Sequence, residues 1–93
     1  MSKKVCIIAG KRIPFMRSSS EYLGLGLREL MKPAMDALVT ELQLEGKEVG
    51  EVAMGAVNKH AYDFALAREM VMDSKLSPST PATDVQKACG TSL

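Results

Sequence analysis

The 93-residue sequence has no tryptophan, two tyrosines and two phenylalanines, too few flat rings for a surface on which nucleic-acid bases stack. Its charge is nearly balanced, with twelve Lys and Arg against eleven Asp and Glu. No overall field therefore draws it to nucleic acid or to an anionic membrane. A single histidine, His60, and two distant cysteines, Cys6 and Cys89, without a CxxC pair cannot compose a four-ligand zinc site, and no metal is expected. A Cys6–Cys89 disulfide is conceivable, but Cys6 lies in an apolar run and nothing points to secretion, so reduced thiols are expected. No apolar stretch approaches the roughly 20 residues of a membrane span. The run at residues 5–9, behind the basic Lys3 and Lys4, is too short for a signal-peptide core. The cytoplasm is the expected location.

What is present is globular in character: 46% hydrophobic and 25% charged residues, without a low-complexity linker or an internal repeat. A chain of this length buries only about 60–65% of its unfolded surface. It has little core to spare for a deep two-sided site, so catalysis is expected to need more protein. Residues 5–9 (Val5, Cys6, Ile7, Ile8, Ala9), closed by Gly10, read as a buried strand covered on both faces. Residues 11–21, with Pro14 and three serines, read as a loop. Leu27, Leu30, Met31, Ala34, Met35, Leu38 and Leu42 recur at steps of three and four and predict a helix with Pro33 near its start and Gly46 as its stop.

Residues 51–57 predict a second strand, with Gly55 marking a close backbone approach. Asp63 is expected to cap a helix over 64–74 whose apolar stripe is Phe64, Ala67 and Val71. Residues 75–81, with Pro78 and Pro81, form a loop, and 83–87 a third strand. The order strand, helix, strand, helix, strand implies an α/β fold with a mostly parallel sheet.

The third strand runs into Ala88-Cys89-Gly90-Thr91-Ser92-Leu93. A cysteine at such a strand-to-helix turn, between small residues and with helix amides beginning near Gly90, has the outline of a nucleophile open to a bulky acyl group. The same spacing also suits a small buried residue at a helix start.

Four segments, in order, resemble the thiolases. Arg12-Ile13-Pro14-Phe15 resembles their opening R-T/I-P-F segment, and 51–57 their second strand. Residues 64–69 resemble the helix that carries an Asn-x-Ala-Arg motif, although Ala65 stands where many relatives have asparagine. Residues 88–93 resemble the segment around the nucleophilic cysteine. The resemblance is to acetyl-CoA acetyltransferases and 3-ketoacyl-CoA thiolases, nearest the fatty-acid β-oxidation branch. It implies that residues 1–93 are the N-terminal βαβαβ portion of a thiolase-like fold, cut just after the nucleophile and incomplete.

The same resemblance implies that Cys89 attacks an acyl-CoA carbonyl, with acyl-CoA and CoA as substrates and no further cofactor. Thiolases also use a histidine from a Gly-His-Pro motif and a second cysteine from a Cys-x-Gly motif. Neither motif occurs here; His60, in Asn58-Lys59-His60-Ala61, and Cys6 do not match them. The partners implied are the missing C-terminal part of the fold and further copies, as a dimer or tetramer. The isolated 93-residue chain is expected to be marginally folded and inactive.

Other signals are weaker. Gly24-Leu25-Gly26 and Gly10-Lys11 lack the remaining parts of a phosphate loop. Lys3, Lys4, Lys11, Arg12 and Arg17 read as a solvated surface that could meet CoA phosphates, Arg68 and Glu69 as structural, and the seven methionines as core fillers. Two alternatives to a thiolase segment stand beside it: a noncatalytic interaction module or remnant, and another condensing enzyme of the thiolase superfamily.

Overall fold

The computed structural model describes residues 3–91. Two helices pack on a small parallel sheet. Helix α1, Leu27–Glu41, is followed by strand β1, Val52–Gly55, helix α2, Leu66–Asp73, and strand β2, Ala82–Val85. The strands pair in the register Val52 with Ala82 through Gly55 with Val85, so an α/β fold with a parallel sheet is what forms.

Helix α1 follows its three-and-four periodicity. Met35 and Val39 are buried, and Leu27 and Met31 pack against the same core. Pro33 lies inside the helix, and Glu29 accepts a hydrogen bond from the Gly26 amide at 3.3 Å. The helix stops before Gly46: Leu42 caps it, and Gln43 takes the left-handed conformation at φ 55°. Gly46, at φ 75°, instead turns the following loop, where its amide donates to the Lys75 carbonyl at 2.6 Å.

The core is completed by α2, whose Leu66, Ala67, Met70 and Val71 are all buried, and by Leu76 in the loop beyond it. Met35 and Met70 fill this core as expected of methionine, while Met16 and Met72 are exposed. Arg68 donates to the carbonyls of Thr80 at 3.1 Å and Pro78 at 2.8 Å, fastening α2 to the loop that leads into β2. Glu69 pairs with Arg28 of α1 at 3.4 Å. Both residues are structural, each with its own partner.

Three expectations require correction. Residues 5–9 form no strand; Val5, Ile7 and Ile8 are 80–96% exposed. An apolar run has the propensity for a strand, but a ladder needs a neighbour, and among the described residues β1 and β2 pair only with each other. Asp63 does not cap α2. It ends a short 3-10 turn, Ala61–Asp63, with its side chain fully buried and the Arg28 guanidinium 4.0 Å away. Phe64 leaves the predicted stripe and is 85% exposed, because α2 begins two residues later, at Leu66.

The cap of α2 comes from across the fold. Ala65 stands at the N-cap position without a side-chain hydrogen bond. Asp84 of β2 accepts the Leu66 amide at 3.1 Å, the Ala67 amide at 2.8 Å and the Lys59 ammonium at 2.7 Å. One carboxylate thereby satisfies free amides at a helix start and a neighbouring cation.

Gly55 is a close approach of backbones, as its place in the strand suggested. A Cβ there would press into the Val85 carbonyl and lie 2.6 Å from Thr91 Cγ2. Such overpacking forces backbone movement.

Gly55→Ala should lower stability by about 1–3 kcal/mol, read as a shifted urea midpoint; an unchanged midpoint would show that the strands have room to part. The Asp84 prediction depends on pH. Burial acts to raise its pKa, but the hydrogen bonds from Lys59, Ala67 and Leu66 and the Lys59 charge outweigh it and hold the carboxyl below its ordinary value. A depressed folded-state pKa gives stability that is present above the unfolded value of about 3.9 and lost as pH falls through the folded one. Asp84→Asn should therefore cost about 1–2 kcal/mol near neutrality, and the gap to wild type should close in denaturation curves as pH drops below about 4. A gap that persists unchanged in acid would assign the effect to something other than the charge.

Candidate active site

The C-terminal ends of two parallel strands lie side by side, and in open α/β sheets this is the edge where ligands are bound. Here the loops leaving that edge are tied together, since the Gln86 side chain donates to the Val57 carbonyl at 2.7 Å. Lys59, in the loop after β1, reaches Asp84 of β2. His60 follows it and stacks on Tyr62, with ring centroids 5.3 Å apart and planes 6° from parallel.

Beyond β2 the chain makes one tight turn. Ala88 takes the left-handed conformation at φ 47°, which a residue with a Cβ adopts only under local constraint. A 3-10 turn, Ala88–Gly90, follows, with Gly90 N donating to the Lys87 carbonyl at 2.9 Å and Thr91 N to the Ala88 carbonyl at 3.1 Å. Cys89 sits at the middle of this turn as an exposed free thiol. The alternative of a small buried residue is thus overturned. The helix expected from about Gly90 is represented by this single turn; Ser92 and Leu93 lie outside the described residues.

Cys6 is also a free, exposed thiol, on the extended segment before α1. Among the described residues no group of three or more His, Cys, Asp and Glu side chains is placed to hold a metal ion. Of the basic N-terminal residues, Lys11 pairs with Glu41 at 3.3 Å and Arg12 lies over the Phe15 ring at 5.8 Å. A polar depression of about 480 Å³ includes Arg28 and Lys32 in its wall. Both cations are already engaged: Arg28 with Glu69 and Asp63, Lys32 with Asp36 at 3.4 Å and with the Asp73 carbonyl at 2.9 Å. No helix among the described residues is long and apolar enough to cross a membrane.

Two residues that shape this edge were not singled out from sequence. Asp84 passed as one position of a strand; it follows α2 in the chain and caps the start of that helix from 18 residues away, so no local spacing marked it. Thr91 carried no signal beyond its nearness to Cys89.

Comparison with known proteins identifies the family of the chain. A family model described as the N-terminal domain of thiolase matches residues 5–93. The 3-ketoacyl-CoA thiolase of Photorhabdus laumondii is 33% identical over 90 residues, which are 97% of this chain and 21% of that protein. Those of Shewanella pealeana and Shewanella loihica are each 28% identical, over 98% and 97% of this chain and 21% of theirs. The chain thus spans about a fifth of the length of these curated relatives. With the family match covering both strands, both helices and the cysteine turn, the chain belongs to the thiolase family, as part of its N-terminal domain.

Proposed function

We propose that this chain carries the nucleophile of a CoA-dependent acyl transfer, with Cys89 as the residue that is acylated. The observation that carries this reading is the exposed thiol of Cys89 on a constrained turn at the C-terminal end of β2, inside the segment matched by the thiolase family. The names of the relatives supply the substrate class, 3-ketoacyl-CoA.

In this reading the Cys89 thiolate bonds to the keto carbon of a 3-ketoacyl-CoA. The bond from that carbon to the adjacent methylene breaks, and its electron pair departs with acetyl-CoA as a carbanion that takes up a proton. Free CoA then gives up its thiol proton and attacks the acyl-cysteine thioester; acyl-CoA leaves and the Cys89 thiolate is restored. Run backwards, the same steps condense two acyl-CoA molecules. CoA and acyl-CoA are substrates here, and no metal or further cofactor takes part.

The proton transfers need groups that this sequence does not supply, since it contains neither the Gly-His-Pro nor the Cys-x-Gly motif that thiolases use. We assign them to the part of the thiolase fold that the relatives carry beyond this match. That part would also cover the exposed Val5, Ile7 and Ile8, whose apolar surface suits burial against protein. Assembly as a dimer or tetramer, a cytoplasmic location and a role in β-oxidation belong to the same reading.

The test is acid quenching of the naturally occurring protein after exposure to acyl-CoA, followed by peptide mapping. The Cys89 peptide should gain the acyl mass. Iodoacetamide should modify Cys89 faster than Cys6, with acyl-CoA protecting Cys89 alone. Replacing Cys89 by alanine should reduce turnover at least about a thousandfold. Equal reactivity of the two thiols, with no protection by acyl-CoA, would remove Cys89 from the chemistry and leave the noncatalytic module as the better reading.

A further inference from the structure

The turn that presents Cys89 is held by a side chain with no chemistry of its own. Thr91 Oγ1 accepts the Lys87 amide at 2.9 Å and donates to the Ala88 carbonyl at 2.6 Å. It therefore grips the backbone on both sides of Ala88, the residue in the left-handed conformation. Alanine enters that conformation at a cost, because its Cβ crowds the following carbonyl. A hydroxyl that donates one hydrogen bond and accepts another across the residue supplies the constraint.

The other branch of Thr91 fixes the turn against the sheet. Its methyl carbon Cγ2 faces Gly55 of β1, so closely that a Cβ at residue 55 would lie 2.6 Å from it. The missing side chain of Gly55 is the seat of that methyl. The hydroxyl thus sets the shape of the turn, and the methyl sets where the turn stands relative to the two strands. A β-branched residue with both groups is needed to do both at once.

We propose that Thr91 is the positioning residue for Cys89, its hydroxyl holding the left-handed Ala88 turn and its methyl, seated on Gly55, fixing that turn against β1. The inference rests on the reading of Cys89 as the nucleophile. Its consequence is kinetic, because a sulfur displaced by about 1 Å from its line of attack can lose roughly a hundredfold in rate.

The experiment uses the naturally occurring full-length protein and measures the single-turnover rate of acyl-enzyme formation and the KM for acyl-CoA. Thr91→Val keeps the shape and removes the hydroxyl; it should slow acylation of Cys89 roughly ten- to a hundredfold with KM unchanged. Thr91→Ser keeps the hydroxyl without the methyl and should recover part of the lost rate, to a value between valine and wild type. Should the valine variant fail to fold, Thr91→Ala, which removes hydroxyl and methyl together, is read in its place and should slow acylation at least as much.

A merely structural role for Thr91 would lower thermal stability without this separation of rate from KM and without rescue by serine, and that pattern would overturn the proposal. So would a valine or alanine variant that acylates as fast as wild type. Cys89→Ala separates the two levels of inference: if it still forms an acyl-enzyme, the nucleophile reading falls. If acylation requires Cys89 and is indifferent to Thr91, only the positioning role falls.

Discussion

The carboxylate of Asp84 is the contact on which the small sheet and its helix depend. It sits on β2, yet its hydrogen bonds go to the first amides of α2 and to Lys59 in the loop that leaves β1. A helix of eight residues, Leu66–Asp73, is too short to be stable through its own backbone. It persists because its apolar face is buried and because Asp84 satisfies amides at its start. The same bond fixes the separation of the two strand ends, since Lys59 and Asp84 belong to loops and strands on either side of that gap. Without it, the edge that bears Cys89 would lose its reference to the rest of the molecule.

Legibility from sequence followed the range of the interactions. The α1 helix was readable because Leu27, Met31, Met35 and Leu38 repeat with a period that only a helix gathers on one face. Gly55 was readable because a glycine inside an apolar strand has few reasons to be there other than close approach, and Val85 and Thr91 supply that approach. Residues 5–9 were readable as apolar and β-branched but not as paired or unpaired, since pairing is a property of a neighbour and not of the run. Asp63 and Asp84 illustrate the same limit. Asp63 precedes the helix and has the identity of a cap, while Asp84 is remote in sequence and makes the contact. Capping by a side chain from another element leaves no local spacing to detect.

The site followed this division. Cys89 was singled out by its position after a strand, between small residues, and by the order of four family-like segments. The single 3-10 turn around it and the left-handed Ala88 were not legible because residue identity does not fix a turn's backbone angles, and the seat of the Thr91 methyl depends on how the turn meets β1. Ala65 shows how the fold accommodates a departure from the family pattern. With no side-chain hydrogen bond at the helix start, the amides of Leu66 and Ala67 turn to Asp84, so a polar residue at that position is not required for the helix to begin there.

The strained residue and the capping carboxylate are linked through β2. Asp84 lies near the end of that strand and Ala88 just past it, with Gln86 between them holding the Val57 carbonyl. Three successive anchors, Asp84 to α2, Gln86 to the loop after β1 and Thr91 to Gly55, therefore fasten one short stretch of chain. A backbone so tied cannot relax Ala88 into an ordinary conformation without breaking at least one of them. Unfavourable geometry of this kind persists only where the surroundings over-determine it. The surroundings here are the strand end, the helix cap and the glycine seat, so the exposed thiol stands on a turn tied to parts that also pack the domain.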